Sequence, residues 1–485
     1  MDLHITPTVG ALVQLPPPIA LLGTLVFVGF LFVRDVRQRP NVTGALWLPF
    51  VWMVIIASRS PTQWLQSLHF PISGNPEDEG NPLDALIYFT LILAGLWVLN
   101  QRQIDFGEVI RNNGWLFLFL FYCFIAISWS DFPLSSFKRW IKVLGHPIMV
   151  LVLFTEPDFN EAVARLIKRS AYVLVPFSIL TIKYYPEIGR TFLEWGTAVN
   201  RGVTLGKNGL GGFLMVLGLF FLWHFLRIRR APRDIMRRNE LRLILLFAVM
   251  MGYLWRKAHA ASSFICFVLG AALMLLLGQR WVNKKLIGTY VIVAVIAFIT
   301  ADAAFGILDV IVDVSGHEAT LNGRRQLWAE LLALDTNPLF GVGFESFWLG
   351  PWVDQLAAHR AFRPNESHNG YLETYLNLGS IGLLLLLALL FATFRKVRAS
   401  LLTNLQWGRL RFGVLVAVIF NNWTEAKFRG LSLVWFVFYI IAIDYPRVEY
   451  ESSDEHEVTS DLHEESALAY ASDRIPHRSL DHSIG

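Results

Sequence analysis

Histidine, arginine and carboxylate side chains gather at a few points of this sequence. Their types suggest phosphate binding and proton transfer. The densest group is Asn365-Glu366-Ser367-His368-Asn369-Gly370-Tyr371. His368 can accept a proton near neutral pH, with Glu366 and Asn369 beside it to orient the ring, although a loop histidine is often merely solvated. Upstream, Arg324 and Arg325 precede Trp328, and Arg360 and Arg363 follow. Arginine binds phosphate oxygens two at a time, so several guanidiniums facing a pyrophosphate make chemical sense. A further stretch, Asn200-Arg201-Gly202, runs on to Gly206-Lys207-Asn208. A helix starting near Asn208 would aim free N–H groups and its positive dipole end at an anion, with Arg201 and Lys207 as flanking cations. The same residues also read as a glycine-rich helix start with interfacial cations. Arg139, Lys142 and His146 are spaced 3 and 4 apart, so they share one helical face. Charges inside a membrane span are costly and are functional candidates, unless they snorkel to the surface. Glu345 follows Gly341-Val342-Gly343-Phe344 and is a weaker candidate. Glu425 lies with Lys427 and Arg429 in a late polar stretch, where mutual pairing is the simpler role.

These groups are carried by a chain of 485 residues that is 54% hydrophobic and only 16% charged. Soluble domains carry about 25% charged residues, so a disordered protein is excluded and one large water-soluble domain is not expected. Thirteen apolar runs suit helices in a bilayer: near 19–33, 44–58, 83–99, 114–129, 138–154, 170–184, 208–226, 241–255, 262–278, 286–304, 376–394, 410–421 and 431–444. The runs near 410 and 431 are short enough to be re-entrant, which gives about 12 or 13 spans. The first run has neither a basic flank before it nor a small-residue cleavage site after it, so it is expected to be a retained helix. With the N-terminus outside, the inside loops carry 26 Lys and Arg against 15 outside, which puts the C-terminus in the cytoplasm. The expected fold is an all-α polytopic membrane protein. Residues 1–304 hold ten helices, 305–375 form one large outer loop, 376–444 hold three more helices, and 445–485 form a disordered tail. That tail has ten Asp and Glu against three Arg. Its four histidines match no tight metal-ligand spacing. Cys123 and Cys266 lie in apolar runs, so neither a disulfide framework nor a cysteine metal site is expected.

Several of these segments together resemble the O-antigen ligase and polymerase family of bacterial membrane glycosyltransferases. The strongest is His368-Asn369-Gly370-Tyr371 followed by Gly379-x-Ile381-Gly382. Gly323-Arg324 with Trp328, Asn337-Pro338 with Gly341 and Gly343, and Arg201-Gly202 with Lys207-Asn208 are similar to other family signatures. The stretch from Trp129 and Ser130 through Pro133, Ser136, Lys138, Arg139 and Lys142 is similar to the exopolysaccharide-polymerase branch. The resemblance is specific over about residues 125–395. It implies an all-helical C-type glycosyltransferase fold, with an active site at the periplasmic face of the inner membrane. The donor would be a glycan on undecaprenyl pyrophosphate, and no metal or other cofactor is implied. The acceptor would be a second lipid-linked repeat for a polymerase, or lipid A–core for a ligase. By motif position, Arg201, Arg324 and His368 would be catalytic. Lys207, Arg325, Arg139 and Lys142 would bind the pyrophosphate, supported by Asn208, Glu345, Glu366, Asn369 and Glu425. The family often has His-Asn where this chain has Lys207-Asn208, which leaves His368 as the base. Partners would be the lipid-linked oligosaccharide, the bilayer, and a chain-length regulator and flippase of the same pathway; no nucleic acid is expected. A transporter would share the spans but favours paired broken helices in two halves, and no such repeat is visible.

Overall fold

In lipid a chain must satisfy every backbone N–H and C=O within itself, so apolar runs become helices. The computed structural model describes residues 15–71, 81–192, 198–305, 318–358 and 364–445. The first half begins with α1 (Pro17–Arg37), α2 (Trp47–Ala57), α3 (Pro61–Ser67) and α4 (Pro82–Gln101). It continues with α5 (Phe106–Asn112), α6 (Gly114–Ile125), α7 (Pro133–Phe154) and α8 (Phe159–Tyr184). Proline at the first turn of α1, α4 and α7 starts those helices where its missing N–H costs nothing. After α9 (Pro186–Gly189) comes a small antiparallel hairpin, β1 (Arg190–Phe192) with β2 (Ala198–Asn200). Then follow α10 (Lys207–Ile228), α11 (Ile235–Ala258), α12 (Ala261–Leu276) and α13 (Ile287–Phe305). The segment expected as a large outer loop contains α14 (Glu318–Leu332) and α15 (Trp352–Ala357). The described chain closes with α16 (Gly370–Thr403), α17 (Leu405–Thr424) and α18 (Leu433–Ala442). Residues 446–485, with the four tail histidines, and Arg360 and Arg363 lie outside the described residues.

Each of the thirteen apolar runs falls on a helix, so the chain is an all-α, multi-pass membrane protein. Among the described residues, four helices are long and apolar enough to cross a membrane: α1, α4, α10 and α16. Two bent pairs raise that to six, one at 54° and one at 97°. Several others fall short for visible reasons. α12 and α18 have 16 and 10 residues. α7 and α8 carry cations along their length. The packing separates rim from centre. On α1, Leu22, Val26 and Phe30 are exposed, as lipid-facing residues would be. Every residue of α18 is buried, so this short helix is the core of the bundle. α17 packs against α12 and α16, and α10 against α11 and α12.

One end of the bundle is locked by buried ion pairs. Asp35 of α1 accepts from Arg165 at 2.6 Å and Arg169 at 2.8 Å, both on α8. Glu240 of α11 takes Lys168 at 2.6 Å, Arg34 at 3.1 Å and His224 Nε2 at 3.0 Å. Glu156 takes Arg102 at 2.7 Å. Four helices are thereby cross-linked by charges that would be costly alone.

The opposite end carries a folded cap. Leu327 and Leu331 of α14, Phe347, Leu356 of α15 and Leu376 of α16 form a local apolar core. α16 opens where this cap meets it. Gly379 has φ 65° and ψ −169°, so the helix is broken there. Residues 338–343 pair with the opened turn: Val342 N to Leu376 O at 3.1 Å, Gly343 N to Asn377 O at 2.9 Å, and Ser380 N to Pro338 O at 2.9 Å. A Cβ on Gly379 would stand 2.1 Å from the Leu339 carbonyl. The two glycine motifs read from the sequence are thus the two sides of one backbone junction.

Candidate functional site

The start of α16 sets the site. Asn369 caps the helix, its Oδ1 accepting from Tyr371 N at 3.0 Å and Leu372 N at 3.1 Å. One turn in, buried Glu373 reaches back and accepts from Ser367 N at 3.1 Å and Ser367 Oγ at 2.8 Å. It also accepts from Trp348 Nε1. Trp328 of α14 donates to Ser367 O at 2.8 Å. Both neighbours of His368 are therefore held. His368 itself is forced to φ 51°, a left-handed conformation costly for a side chain with a Cβ. Such strain persists only where surrounding contacts over-determine it, and it concentrates at functional sites.

Around His368 the charges interlock. Nδ1 lies 2.8 Å from Glu366 Oε1 and 3.9 Å from Glu425 Oε2. Glu425, at the end of α17, also receives Arg324 Nη2 at 3.3 Å and Asn208 Nδ2 at 2.9 Å, with Lys427 Nζ at 4.0 Å. Arg324 Nη1 donates to Thr424 O at 2.7 Å. Arg429 pairs with Glu366 at 3.0 Å and with Glu373 at 3.5 Å. Burial disfavours the charged imidazole, but the nearby carboxylates of Glu366 and Glu425 outweigh it and raise His368 to about 9. Burial likewise opposes the Glu366 charge, yet Lys427, His368 and Arg429 hold it well below the usual carboxylate range. Asn208, Arg324, Glu366, His368, Asn369 and Glu425, spread over more than 200 positions, thus meet in one cluster.

The other predicted residues lie at its margins or in adjoining groups. Lys207 is the first residue of α10, which has no side-chain N-cap. Its ammonium has no partner among the described residues, and the first N–H groups of the helix are open to an anion. Arg325 is exposed, next to Arg324. Arg201 sits in a second basic group, donating to Ile188 O at 3.0 Å and Glu187 O at 3.2 Å. Arg59, which the sequence reading passed over, is 2% exposed and shares the Ile188 carbonyl at 2.6 Å. Burial and the charge of Arg201 lower it to about 10, so both remain cations without a carboxylate partner among the described residues. Arg139 donates to the Glu345 carbonyl, and Gly430 N donates to the Glu345 carboxylate. Glu345 is also left-handed, at φ 49°. Lys142 lies over the Tyr88 ring at 5.7 Å. His146 has a structural task. Trp52 Nε1 can only donate, so His146 Nδ1 accepts at 3.1 Å, and Nε2–H donates to Gly430 O at 3.1 Å.

Glu366, His368 and Glu425 bring three possible ligand atoms within 4.8 Å of one another. Arg324, Lys427 and Arg429 already answer these carboxylates, so a divalent cation would enter a positively charged surround. Glu373 was legible only as part of a motif, and its spacing from the Asn369 cap was the signal for its role. Arg59 offered no signal beyond being a cation between two short apolar helices.

The family described as O-Antigen ligase matches residues 243–387, which include Arg324, Glu345, Glu366, His368 and Glu373. The exopolysaccharide production protein ExoQ of Rhizobium meliloti (strain 1021) is 26% identical over 321 residues, covering 62% of this chain and 69% of that protein. The chain is thus similar, over part of its length, to the O-Antigen ligase family and to a protein of exopolysaccharide production.

Proposed function

We propose that the protein transfers a glycan from a lipid pyrophosphate to a sugar hydroxyl, as a polymerase of exopolysaccharide or O-antigen repeat units. Undecaprenyl pyrophosphate would carry the donor, and the reaction would occur at the periplasmic face of the inner membrane. The observation that carries this reading is the meeting of Arg324, Asn208 and His368 on Glu425, beside the uncapped start of α10. As the glycosyl–oxygen bond breaks, the leaving pyrophosphate gains negative charge. Cations fixed in advance at that point lower the barrier, and removing one such contact costs about 10²–10³ in rate in comparable sites. Arg324, Lys207 and Arg201 would fill this role, with Arg59 holding the Arg201 loop. His368 would orient the acceptor hydroxyl and take its proton. With an imidazole raised to about 9, roughly 1% is neutral at pH 7, so base catalysis draws on a minor form. Attack from the face opposite the leaving group would invert the anomeric centre.

The ExoQ likeness favours a polymerase over a ligase. Purified protein in liposomes with lipid-linked repeat units is expected to release the polyprenyl pyrophosphate and build chains of several repeats. Turnover only when lipid A–core is added would make it a ligase. Release of no pyrophosphate with either acceptor would sink the enzymatic reading.

A further inference from the structure

The helix pair that frames the site has a second charged end. α10 and α17 run antiparallel. Asn208 near the start of α10 meets Glu425 just past the end of α17, and Trp223 near the end of α10 donates to Gln406 O at the start of α17 at 2.7 Å. Arg409 lies on α17 at this far end. Fifteen residues of helix separate it from Thr424, about 22 Å. Its residue is 1% exposed, yet among the described residues its Nε has no hydrogen-bond partner, and its one hydrogen bond is Nη2 to Gln406 Oε1. The neighbouring buried cations differ. Arg411 on the same helix has Asp444 at 2.8 Å, Arg165 and Arg169 have Asp35, and Lys168 has Glu240. The charges that act on Arg409 are instead those of Arg230 and Arg229, both exposed just beyond α10. Gly278, after α12, leaves room beside the guanidinium: a Cβ there would stand 3.5 Å from Arg409 Nη1.

We propose that Arg409, Arg229 and Arg230 form a phosphate-binding site at the end of the bundle opposite His368. A buried guanidinium with an open donor and only like charges beside it requires an anion. Arginine forks fit phosphate oxygens, and basic pockets between membrane helices take lipid headgroup phosphates. A phospholipid headgroup and free phosphate share this chemistry. The test measures the melting temperature of the full-length protein in neutral detergent in two arms. One compares inorganic phosphate with chloride at equal ionic strength. The other compares added phosphatidylglycerol with phosphatidylcholine. The wild type is expected to gain about 2–4 °C, and Arg409→Gln to lose that gain. Phosphate bound near His368 leaves this difference untouched. A gain in the lipid arm alone assigns a headgroup; a gain in both shows that phosphate alone suffices. If Arg409→Gln does not fold, the exposed pair R229Q/R230Q must reduce the gain at least by half. The site is refuted if neither anion stabilises the wild type, or if the variants gain as much as it does.

Discussion

Two charge clusters of this bundle, the one on Asp35, Glu240 and Glu156 and the one around His368, are answered in different ways. At the arginine-rich end, Asp35, Glu240 and Glu156 are each closed by direct cation contacts of 2.6–3.1 Å. At the His368 end the pairing is looser and unfinished. Lys427 stands 4.0 Å from Glu425, Lys207 has no partner among the described residues, and Arg59 and Arg201 rest on carbonyls. His368 and Glu345 sit there in left-handed backbone. A buried charge that is fully answered ties helices together. A set of cations held in place but incompletely answered is poised for an anionic ligand.

Substitutions should divide along that line. The largest effect is expected from His368→Ala, a loss of about 10²–10⁴ in turnover per folded molecule. Next, Asp35→Asn leaves Arg165 and Arg169 buried without their counter-ion. It should cost roughly 3–5 kcal/mol of stability, read as lower melting and abundance, while the folded fraction keeps its specific turnover. If Asp35→Asn instead lowers turnover without destabilising, the contrast fails. Arg324→Ala should lose about 10²–10³ in turnover, and Arg324→Lys should recover part of it in polymer-length assays. Lys207→Ala is expected to cost at most about tenfold, because its ammonium is partly exposed and screened. The smallest effect concerns pH. The raised pKa of His368 means its ion pairs contribute stability fully below about pH 6.5 and lose it as pH passes about 9. Wild-type melting should fall more across that interval than His368→Gln melting does.

Much of the scaffold was legible because hydrophobic period and length act locally. All thirteen apolar runs became helices, and a helix start at Asn208 was off by one residue. The site was legible as residue types and only partly as partners. Glu425 was expected to pair within its own loop, yet its shortest bond is to Asn208, 217 positions away. Gly379 reads as a glycine inside an apolar helix, and only the backbone of residues 338–343 lying against it explains the break. His146 shared a helical face with Arg139 and Lys142, but its partners Trp52 and Gly430 come from distant segments. Contacts of that separation depend on packing that no local pattern encodes.

The central claim is that His368, held by Glu366 and Glu425, takes the acceptor's proton where the lipid pyrophosphate departs. The most direct measurement is the rate of polyprenyl pyrophosphate release by purified protein from pH 6.5 to 9.5, for wild type and His368→Ala. Wild-type rate should rise with pH and level off near 9, while His368→Ala stays low and flat. A His368→Ala protein that matches wild type, or a wild-type rate that falls across this range, would contradict the account.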